Sequence, residues 1–449
     1  MMRSVSLAAS RGVPRLMGAP LGRGLSSAAS PPAGPQPTVG SIPASNTVAR
    51  AALATAQSLG IDLTSSQPAN PKTVILMMNM GGPASSAEVQ PFLHNLFSDN
   101  DLIPLPAQKF LAPVIAKRRT PKVASHYDEI GGGSPIRTWT EAQAAAMVKH
   151  LDRLSPETAP HAAEVCFRYA PPLTEEALNR VEAYGPGVER VVCFSQYPQY
   201  SCSTSGSSFN ELARQVRARA AGGADISAGP RYTAIDRWPL APGLVEAFAD
   251  NVIHSLTKQL SPSEAEQTFV LFSAHSLPMS IVERGDQYPT DVAATASAVM
   301  EHVRQSTGLA LPWRVCWQST VGPRRWLSPS TENSLKALGR QRRPVALVVP
   351  VAFTSDHIET LHELDLDYGP QAQSWGLQRI VRAESLNLHP RFTLGLAEIV
   401  ANHLAATKDG RSDPAGALFT ARCLGCTKES CQETRDFFAE QRSPCSEQK

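Results

Sequence analysis

The sequence has no excess of charge of either sign, no long apolar run and few cysteines for its 449 residues. Its 42 Lys and Arg residues balance 40 Asp and Glu residues, which gives no electrostatic case for a nucleic-acid partner. No apolar run approaches the roughly 18–20 residues that a membrane-spanning helix needs. Eight cysteines are too few for a disulfide scaffold. Because 42% of the residues are hydrophobic, we expect a globular protein of two domains with appended segments.

Acidic residues are also absent from the start of the chain, where Asp62 is the first. The segment before it carries arginines among many Ser and Ala residues: Arg3, Arg11, Arg15, Arg23 and Arg50. This composition is typical of a mitochondrial transit peptide, whereas an ordinary disordered tail seldom avoids acids for so long. We therefore expect residues 1–70 to be a transit peptide and a linker outside the fold.

Short apolar runs alternate with helical patterns from Thr73 onward. The runs lack polar alternation, as strands buried on both faces do. They are Thr73–Met78, Ala163–Phe167, Arg190–Phe194, Thr268–Phe272, Arg314–Trp317 and Val345–Val349. The alternation predicts an α/β fold of two Rossmann-like, doubly wound domains with parallel sheets. We place these domains at residues 71–230 and 231–408, followed by a cysteine-containing extension at 409–449.

Reactive side chains follow the predicted strands, at the points where the strands end. Met80 follows the first strand, Arg168 and Tyr169 follow the second, and His275 follows the fourth. Open parallel sheets bind ligands beyond the carboxyl ends of their strands, so we expect the site in the cleft between the two domains. The chain has neither a Gly-x-Gly-x-x-Gly fingerprint after the first strand nor a Gly-x-x-x-x-Gly-Lys-Ser/Thr motif. Dinucleotide and nucleoside triphosphate chemistry therefore lack their usual support.

The last predicted strand leads into carboxylates spaced three, four and four residues apart: Asp356, Glu359, Glu363 and Asp367. An α-helix would place them on one face, where like charges repel by roughly 0.2–0.5 kcal/mol per pair. On spacing alone, a solvent-exposed face is the better interpretation. His357 beside Glu359, and His275 after another buried strand, shift the balance toward a divalent transition metal, because imidazole with carboxylate suits such ions.

Three cysteines near the end of the chain form the pattern Cys423-x₂-Cys426-x₄-Cys431. A metal is favoured over a disulfide, because a disulfide would leave one thiol over. Four thiolates suit structural zinc or an iron–sulfur cluster, so a fourth cysteine is needed. Spacing alone leaves two candidates for it: Cys445, which is nearest in sequence, and Cys202, which lies in a polar loop.

Several long, ordered motifs resemble those of one known family. They are LMMNMGGP at Leu76–Pro83, AKRRTPK at Ala116–Lys122, IGGGSPI at Ile130–Ile136, FSQYPQYSCSTSGSS at Phe194–Ser208, FSAHSLPM at Phe272–Met279 and AFTSDHIETL at Ala352–Leu361. From about Pro71 through the cysteine tail, the sequence closely resembles the mitochondrial ferrochelatases. The resemblance implies insertion of ferrous iron into protoporphyrin IX, the last step of haem biosynthesis.

The resemblance also implies roles for individual residues. His275 corresponds to the histidine proposed to accept pyrrole protons or to bind the metal, with Glu359 facing it and His357 as a hydrogen-bonding neighbour. Asp356, Glu363 and Asp367 correspond to an acidic route for ions or protons. The pocket residues implied are Met80, Arg168 and Tyr169 around the macrocycle, with Arg119, Tyr127 and Ser134 at the propionates. The sequence leaves open whether the acidic route carries metal or protons, and on which face iron enters.

For the cysteines, the resemblance implies that a 2Fe-2S cluster is held by Cys202, Cys423, Cys426 and Cys431.

By itself, the segment Leu102–Lys122, which is apolar and then basic, is typical of a core helix with a charged end. The resemblance makes it a membrane-facing lip, and apolar surface beside basic residues suits a lipid headgroup region. We therefore expect peripheral attachment to the matrix side of the inner mitochondrial membrane, and the resemblance also implies a homodimer. The competing hypotheses are a chelatase for another tetrapyrrole or metal, and a non-enzymatic haem or iron–sulfur carrier.

Overall fold

The computed structural model describes residues 42–63, 67–222, 229–320, 322, 324–408, 423–426 and 428–441. The expected import signal lies mostly outside these residues. Within them, no helix is both long enough and apolar enough to cross a membrane.

Two four-stranded sheets, each entirely parallel, form the centre of the fold. The first contains β1 (Thr73–Asn79), β2 (His161–Phe167), β3 (Arg190–Ser195) and β4 (Arg231–Ile235), in the order β2-β1-β3-β4. The second contains β5 (Phe269–His275), β6 (Trp313–Gln318), β7 (Val345–Pro350) and β8 (Arg379–Arg382), in the order β6-β5-β7-β8. The two halves thus share one topology, which confirms the predicted α/β class with two doubly wound sheets.

Helices connect and cover the strands. They are α1 (Thr47–Ser58), α2 (Val89–Ser98), α3 (Gln108–Glu129), α4 (Ile136–Leu154), α5 (Thr174–Ala183), α6 (Ser207–Ala221), α7 (Pro242–His254), α8 (Pro262–Gln267), α9 (Met279–Val282), α10 (Tyr288–Thr307), α11 (Thr331–Arg340), α12 (Pro390–Lys408) and α13 (Glu429–Glu440). Three further segments are π-helical, at Cys202–Gly206, Ser255–Gln259 and Glu359–Tyr368. A π-helix is rare and often marks a functional site.

One continuous apolar core joins the two sheets. Met77 and Phe194 of the first sheet belong to the same buried cluster as Phe272 and Val349 of the second, together with residues of α4, α7, α10 and α12. The strand β4 pairs with β3, so the first sheet extends to Ile235, beyond the boundary expected near residue 230. The shared core fixes the two sheets relative to each other.

The segment before Pro71 differs from the expectation that all of it lies outside the fold. Ala52 and Ala56 of α1 are fully buried and pack with Trp139 of α4 and with Leu388. The Asn46 side chain accepts from Ala49 N at 3.0 Å, capping α1, and donates to the carbonyl oxygens of Ala84 and Ser134. Residues 45–58 therefore belong to the folded body.

Candidate active site

The strand order reverses between β1 and β3 and between β5 and β7, where such folds place their ligands. At the first reversal, the Tyr197 hydroxyl donates to Asn79 Oδ1 at 2.9 Å and accepts from Met80 N at 3.0 Å. Gly81 has a φ of +79°, and a Cβ there would lie 2.7 Å from the Phe167 ring. The Gly-Gly turn is thus required by close packing at the strand end.

The second reversal holds the pair predicted to be catalytic. His275 ends β5, and its Nδ1 lies 2.9 Å from Glu359 Oε2. Burial disfavours a charge on His275, but the Glu359 carboxylate outweighs it and raises the pKa of His275. Burial likewise opposes ionisation of Glu359, yet the His275 charge and hydrogen bond lower its pKa to about 2. The histidine side chain is still 39% exposed, so the pair is open to a ligand.

Ser319 links Glu359 to the next carboxylate. Its hydroxyl lies 2.9 Å from Glu359 Oε2 and also contacts Glu363 Oε2, while its N–H donates to Glu363 Oε1 at 3.0 Å. A hydroxyl carries one proton, so it donates to one carboxylate and accepts from the other only when that carboxyl is protonated. Burial and the Glu359 charge raise the pKa of Glu363, whereas that of Glu359 is lowered, so of the two carboxylates Glu363 takes up a proton more readily.

The acidic segment is π-helical, so its carboxylates do not form the single face expected of an α-helix. Glu363 accepts a further hydrogen bond from the Tyr368 hydroxyl at 2.8 Å. Tyr368 also lines a cavity of about 130 Å³ together with Asp365 and Arg382. Asp367 lies at the exposed surface and accepts from Gln371 at 2.9 Å. The segment thus runs from the half-buried Glu359 to a solvent-exposed carboxylate.

Asp356 has a different environment from the other carboxylates. Arg382 lies 3.2 Å from its Oδ1, and Ser385, Asn387 and Thr360 donate to it at 2.7–3.0 Å. Burial opposes its ionisation, but Arg382 and these donors hold its pKa below the usual value. Its acceptor positions are therefore occupied by neighbours that fix the start of the π-helical segment.

His357 does not make the hydrogen bond to Glu359 that the resemblance implies. Its Nδ1 lies 3.2 Å from the Ser355 carbonyl oxygen, and its ring packs 4.5 Å from the Phe353 ring. A donor at Nδ1 suits this carbonyl partner and leaves Nε2 as the acceptor. Burial lowers the pKa of His357, so the ring favours its neutral form.

Several tyrosines from both halves surround Glu359. Burial raises the pKa of Tyr127 and Tyr197, from the first half, and of Tyr288, from the second, and the Glu359 charge raises all three further. The carboxyl ends of the two sheets therefore converge on this carboxylate. The predicted pocket residue Tyr127 belongs to this convergence, while Tyr197 and Tyr288 were not predicted.

Arg168 and Tyr169 follow β2 and meet a buried carboxylate, Asp99. The Tyr169 hydroxyl donates to Asp99 Oδ2 at 2.6 Å, and Arg168 Nη2 lies 3.3 Å from the same oxygen. The Arg168 guanidinium lies 5.1 Å from the centroid of the Tyr169 ring. Because Tyr169 is 1% exposed, its side chain supports the wall of the site rather than its surface.

The other propionate candidates lie near the lip. Ser134 is buried, and its hydroxyl accepts from Ile136 N at 3.3 Å. Arg119, in α3, lies 5.7 Å from the centroid of the Phe97 ring. On the outer face of α3, Phe110 is 78% and Val114 is 62% exposed. The lip therefore presents apolar side chains to solvent, unlike a core helix.

The four predicted cluster ligands come from two parts of the chain. Cys202 begins a π-helical turn, Cys423 and Cys426 share a turn, and Cys431 lies in α13. Burial raises the pKa of each of Cys202 and Cys431, and that of Cys423 to about 11, and neighbouring cysteine thiolates raise all three further. These thiols are thus close neighbours, and a four-sulfur donor set suits 2Fe-2S or zinc. In the described ranges no three such side chains are already arranged as metal ligands, and Cys445 lies outside those ranges.

Ser319 is the main site residue that sequence reasoning missed. It follows β6, so the rule of inspecting the carboxyl end of every strand would have found it. The predicted strand ends at Trp317, one residue before the observed end at Gln318, so Ser319 was not identified as the residue that follows the strand. Its φ of +63° also departs from ordinary strand geometry, which no residue pattern signals.

Comparisons with known proteins identify one family. The ferrochelatase family model matches residues 72–404. The mitochondrial ferrochelatase of Bos taurus is 47% identical over 398 residues, covering 88% of this chain and 91% of the bovine protein. That of Xenopus laevis is 48% identical over 372 residues, covering 83% and 86%, and that of Homo sapiens is 46% identical over 378 residues, covering 84% and 85%. The chain belongs to the ferrochelatase family.

Proposed function

We propose that the chain inserts Fe²⁺ into protoporphyrin IX at the convergence of the two sheets, as a protohaem ferro-lyase of haem biosynthesis. The observation that carries the proposal is the His275–Glu359 pair, 2.9 Å apart, with Ser319 and Glu363 in contact behind it. Metal insertion releases two pyrrole protons, so the site needs a base and an exit for protons. The pair and the linked carboxylates supply both.

In this proposal His275 accepts a pyrrole proton after its own proton has moved toward Glu359. Glu359 then gives this proton to the Ser319 hydroxyl, which donates its own proton to the Glu363 carboxylate, since one hydroxyl bridges both groups. Beyond Glu363, Tyr368 and the exposed Asp367 lead toward solvent. Asp356 holds the start of the segment in place, and His357 offers a neutral imidazole beside the pair.

The porphyrin would lie between the halves, against residues that follow the strands of the first sheet. Met80 and Arg168 provide an apolar and a cationic contact, with Tyr169 holding Arg168 in position. Tyr127 and Ser134 offer hydroxyls and Arg119 offers a cation, which suits the propionate carboxylates.

Cys202, Cys423, Cys426 and Cys431 are the residues that would hold a 2Fe-2S cluster. The fit rests on the chemistry of the donor set, because four thiolate sulfurs suit either 2Fe-2S or zinc. Such a cluster, when bound, would join the tail to the π-helical turn at Cys202. A visible charge-transfer spectrum distinguishes it from zinc, which is colourless.

The mitochondrial relatives and the exposed surface of α3 support a proposed location. We place the protein in the mitochondrion, on the matrix face of the inner membrane, with Phe110 and Val114 entering the headgroup region beside Lys117 and Arg118. The transit peptide would end before Ser45, because residues 45–58 are part of the fold. The homodimer stays a prediction that sedimentation of the purified protein tests.

The test is to add Fe²⁺ and protoporphyrin IX to the purified protein without oxygen and to follow the porphyrin absorption spectrum. We expect catalytic conversion to protohaem. Porphyrin binding without turnover would instead favour a carrier. Faster turnover of coproporphyrin than of protoporphyrin would favour the related chelatase.

A further inference from the structure

A tight turn joins the end of α2 to the lip. Asp99 Oδ1 accepts from Asp101 N at 2.8 Å, and the Asp99 carbonyl oxygen accepts from Ile103 N at 3.0 Å. The two aspartates are thus held at a fixed spacing, and their side chains meet different partners. The lip begins directly after this turn.

Asp99 connects the turn to the porphyrin pocket. It is 6% exposed, and its Oδ2 accepts from the Tyr169 and Ser207 hydroxyls and pairs with Arg168 at 3.3 Å. A buried carboxylate that three groups share holds them in place relative to one another, because all three meet at one oxygen. Asp99 therefore sets the positions of both Arg168 and Tyr169.

Asp101 connects the same turn to the cysteine segment. Its Oδ1 accepts from Lys428 Nζ at 3.0 Å and from Ser430 Oγ at 3.2 Å, and its Oδ2 accepts from Asn210 Nδ2 at 2.9 Å. Asn210 Nδ2 also lies 3.8 Å from Cys431 Sγ. The Lys428 ammonium donates in addition to the Asn100 carbonyl oxygen at 3.0 Å. Asp101 thus meets two residues inside the segment from Cys426 to Cys431, Lys428 and Ser430, and Asn210 of α6.

We propose that the turn Asp99–Asp101 couples the cysteine cluster to the porphyrin pocket, with Asp101 as a positioning residue. The inference rests on the proposed roles of the pocket and of the cysteines. A metal cluster fixes the ends of the segment that carries Lys428 and Ser430, and these hold Asp101. The turn then holds Asp99, and Asp99 holds Arg168 and Tyr169 for the porphyrin. Losing the cluster frees the turn and weakens porphyrin binding without touching the His275–Glu359 pair.

The coupling is reciprocal, because two sites that share one equilibrium affect each other equally. Bound porphyrin should therefore make the cluster harder to remove. Removal of the cluster, measured with and without porphyrin, therefore tests the coupling without any turnover.

The experiment measures porphyrin affinity by fluorescence quenching, without iron, in the full chain and in three variants. Asp101→Ala removes the turn's link to the tail, and Lys428→Met removes the same link from the tail side. Asp436→Ala, an exposed aspartate of α13 that bonds only to Gln432 in its own helix, is the matched control. Visible absorbance and iron content measure how much cluster each of the four proteins holds.

We expect the porphyrin Kd to rise about tenfold in Asp101→Ala and in Lys428→Met, as loss of a charge-assisted contact predicts, and to stay unchanged in Asp436→Ala. The double variant, with both Asp101→Ala and Lys428→Met, should lose little more porphyrin affinity than either single variant. Turnover at saturating porphyrin should stay near that of the parent. In the parent, porphyrin should raise the chelator concentration that removes half the cluster, and it should not do so in Lys428→Met.

Unchanged porphyrin affinity in Lys428→Met with the cluster intact would overturn the coupling, and this variant keeps the test informative if Asp101→Ala does not fold. Additive losses in the double variant would also overturn it. Failure of the proposed function looks different, because the unmodified parent would then bind no porphyrin or show no cluster spectrum.

Discussion

At the scale of single residues, the site depends on which group holds each proton. His275 and Glu359 form a pair in which each raises the charged fraction of the other. The pKa of Glu363, one hydroxyl away, is raised by burial and by the charge on Glu359. A resting site with a charged histidine must lose that proton before His275 accepts one from a pyrrole. The linked carboxylates provide the route.

The pH dependence of the pair follows from these directions. His275 has a raised pKa, so its contribution to folding stability is complete below about pH 6.5 and is lost as the pH rises through the raised pKa. Glu359 has a lowered pKa, so its contribution to folding stability is complete above about pH 4.5 and is lost as the pH falls through its pKa of about 2. Glu359→Gln should therefore lower the pKa of His275, as measured by NMR titration of the imidazole. A His275 pKa that rises or stays constant would contradict the pairing.

Ser319→Ala tests the shared hydroxyl. The substitution leaves the backbone strain at φ +63° unchanged, because serine and alanine both carry a Cβ, and removes only the bridge. We expect kcat to fall by about 10- to 100-fold with the porphyrin Kd unchanged, since proton transfer is affected and binding is not. Thr320→Ala, an exposed hydroxyl one residue further on, should leave kcat unaltered. Equal effects of the two variants would remove Ser319 from the route.

At the scale of elements, the four inner strands and the edge strands β2 and β6 were predictable, and the edge strands β4 and β8 were not. The inner strands β1, β3, β5 and β7 are apolar runs, and β2 and β6 carried enough β-branched or aromatic residues to be found. The edge strands β4 (RYTAI) and β8 (RIVR) are short and begin with arginine, so they resemble loops in sequence. The helix α1 was missed because its acid-free composition pointed to an import signal, and its burial depends on contacts with α4.

The docking of α1 gives a prediction at this scale. Asn46 is 1% exposed and makes hydrogen bonds to Ala84, Ser134 and Ala49. Asn46→Ala should lower the free energy of unfolding by about 1–3 kcal/mol, the usual effect of losing a helix cap and leaving buried carbonyls unpaired. Urea unfolding measures this, with the exposed Thr55→Ala in the same helix expected to change stability by less than about 0.5 kcal/mol. Equal stability of both variants would show that α1 is not docked in solution.

At the scale of the whole molecule, one face combines apolar and basic side chains. Phe110, Leu111 and Val114 are exposed on α3, and Lys117 and Arg118 follow one turn later. The segment was predictable in composition, but whether its apolar residues face a core or solvent depends on how α3 packs on α2. That packing buries Ala112 and Ala116 and turns the larger side chains outward.

The exposed face predicts membrane attachment. Phe110→Glu and Val114→Glu should each weaken binding to liposomes that contain anionic lipid by about tenfold, since each loses apolar burial in the headgroup region. Leu154→Glu, at an exposed leucine that ends α4, should bind like the parent. Co-sedimentation with liposomes measures all three. A parent protein that stays in the supernatant would contradict the proposed location.

The most direct test of the whole account is a single turnover of Fe²⁺ insertion into bound protoporphyrin IX, without oxygen, in the parent and in His275→Ala. His254→Ala, an exposed histidine at the end of α7, is the control. We expect His275→Ala to bind porphyrin like the parent but to insert iron at least about 100-fold more slowly, while the control inserts at the parental rate. Insertion by His275→Ala at the parental rate would show that the proton acceptor lies elsewhere.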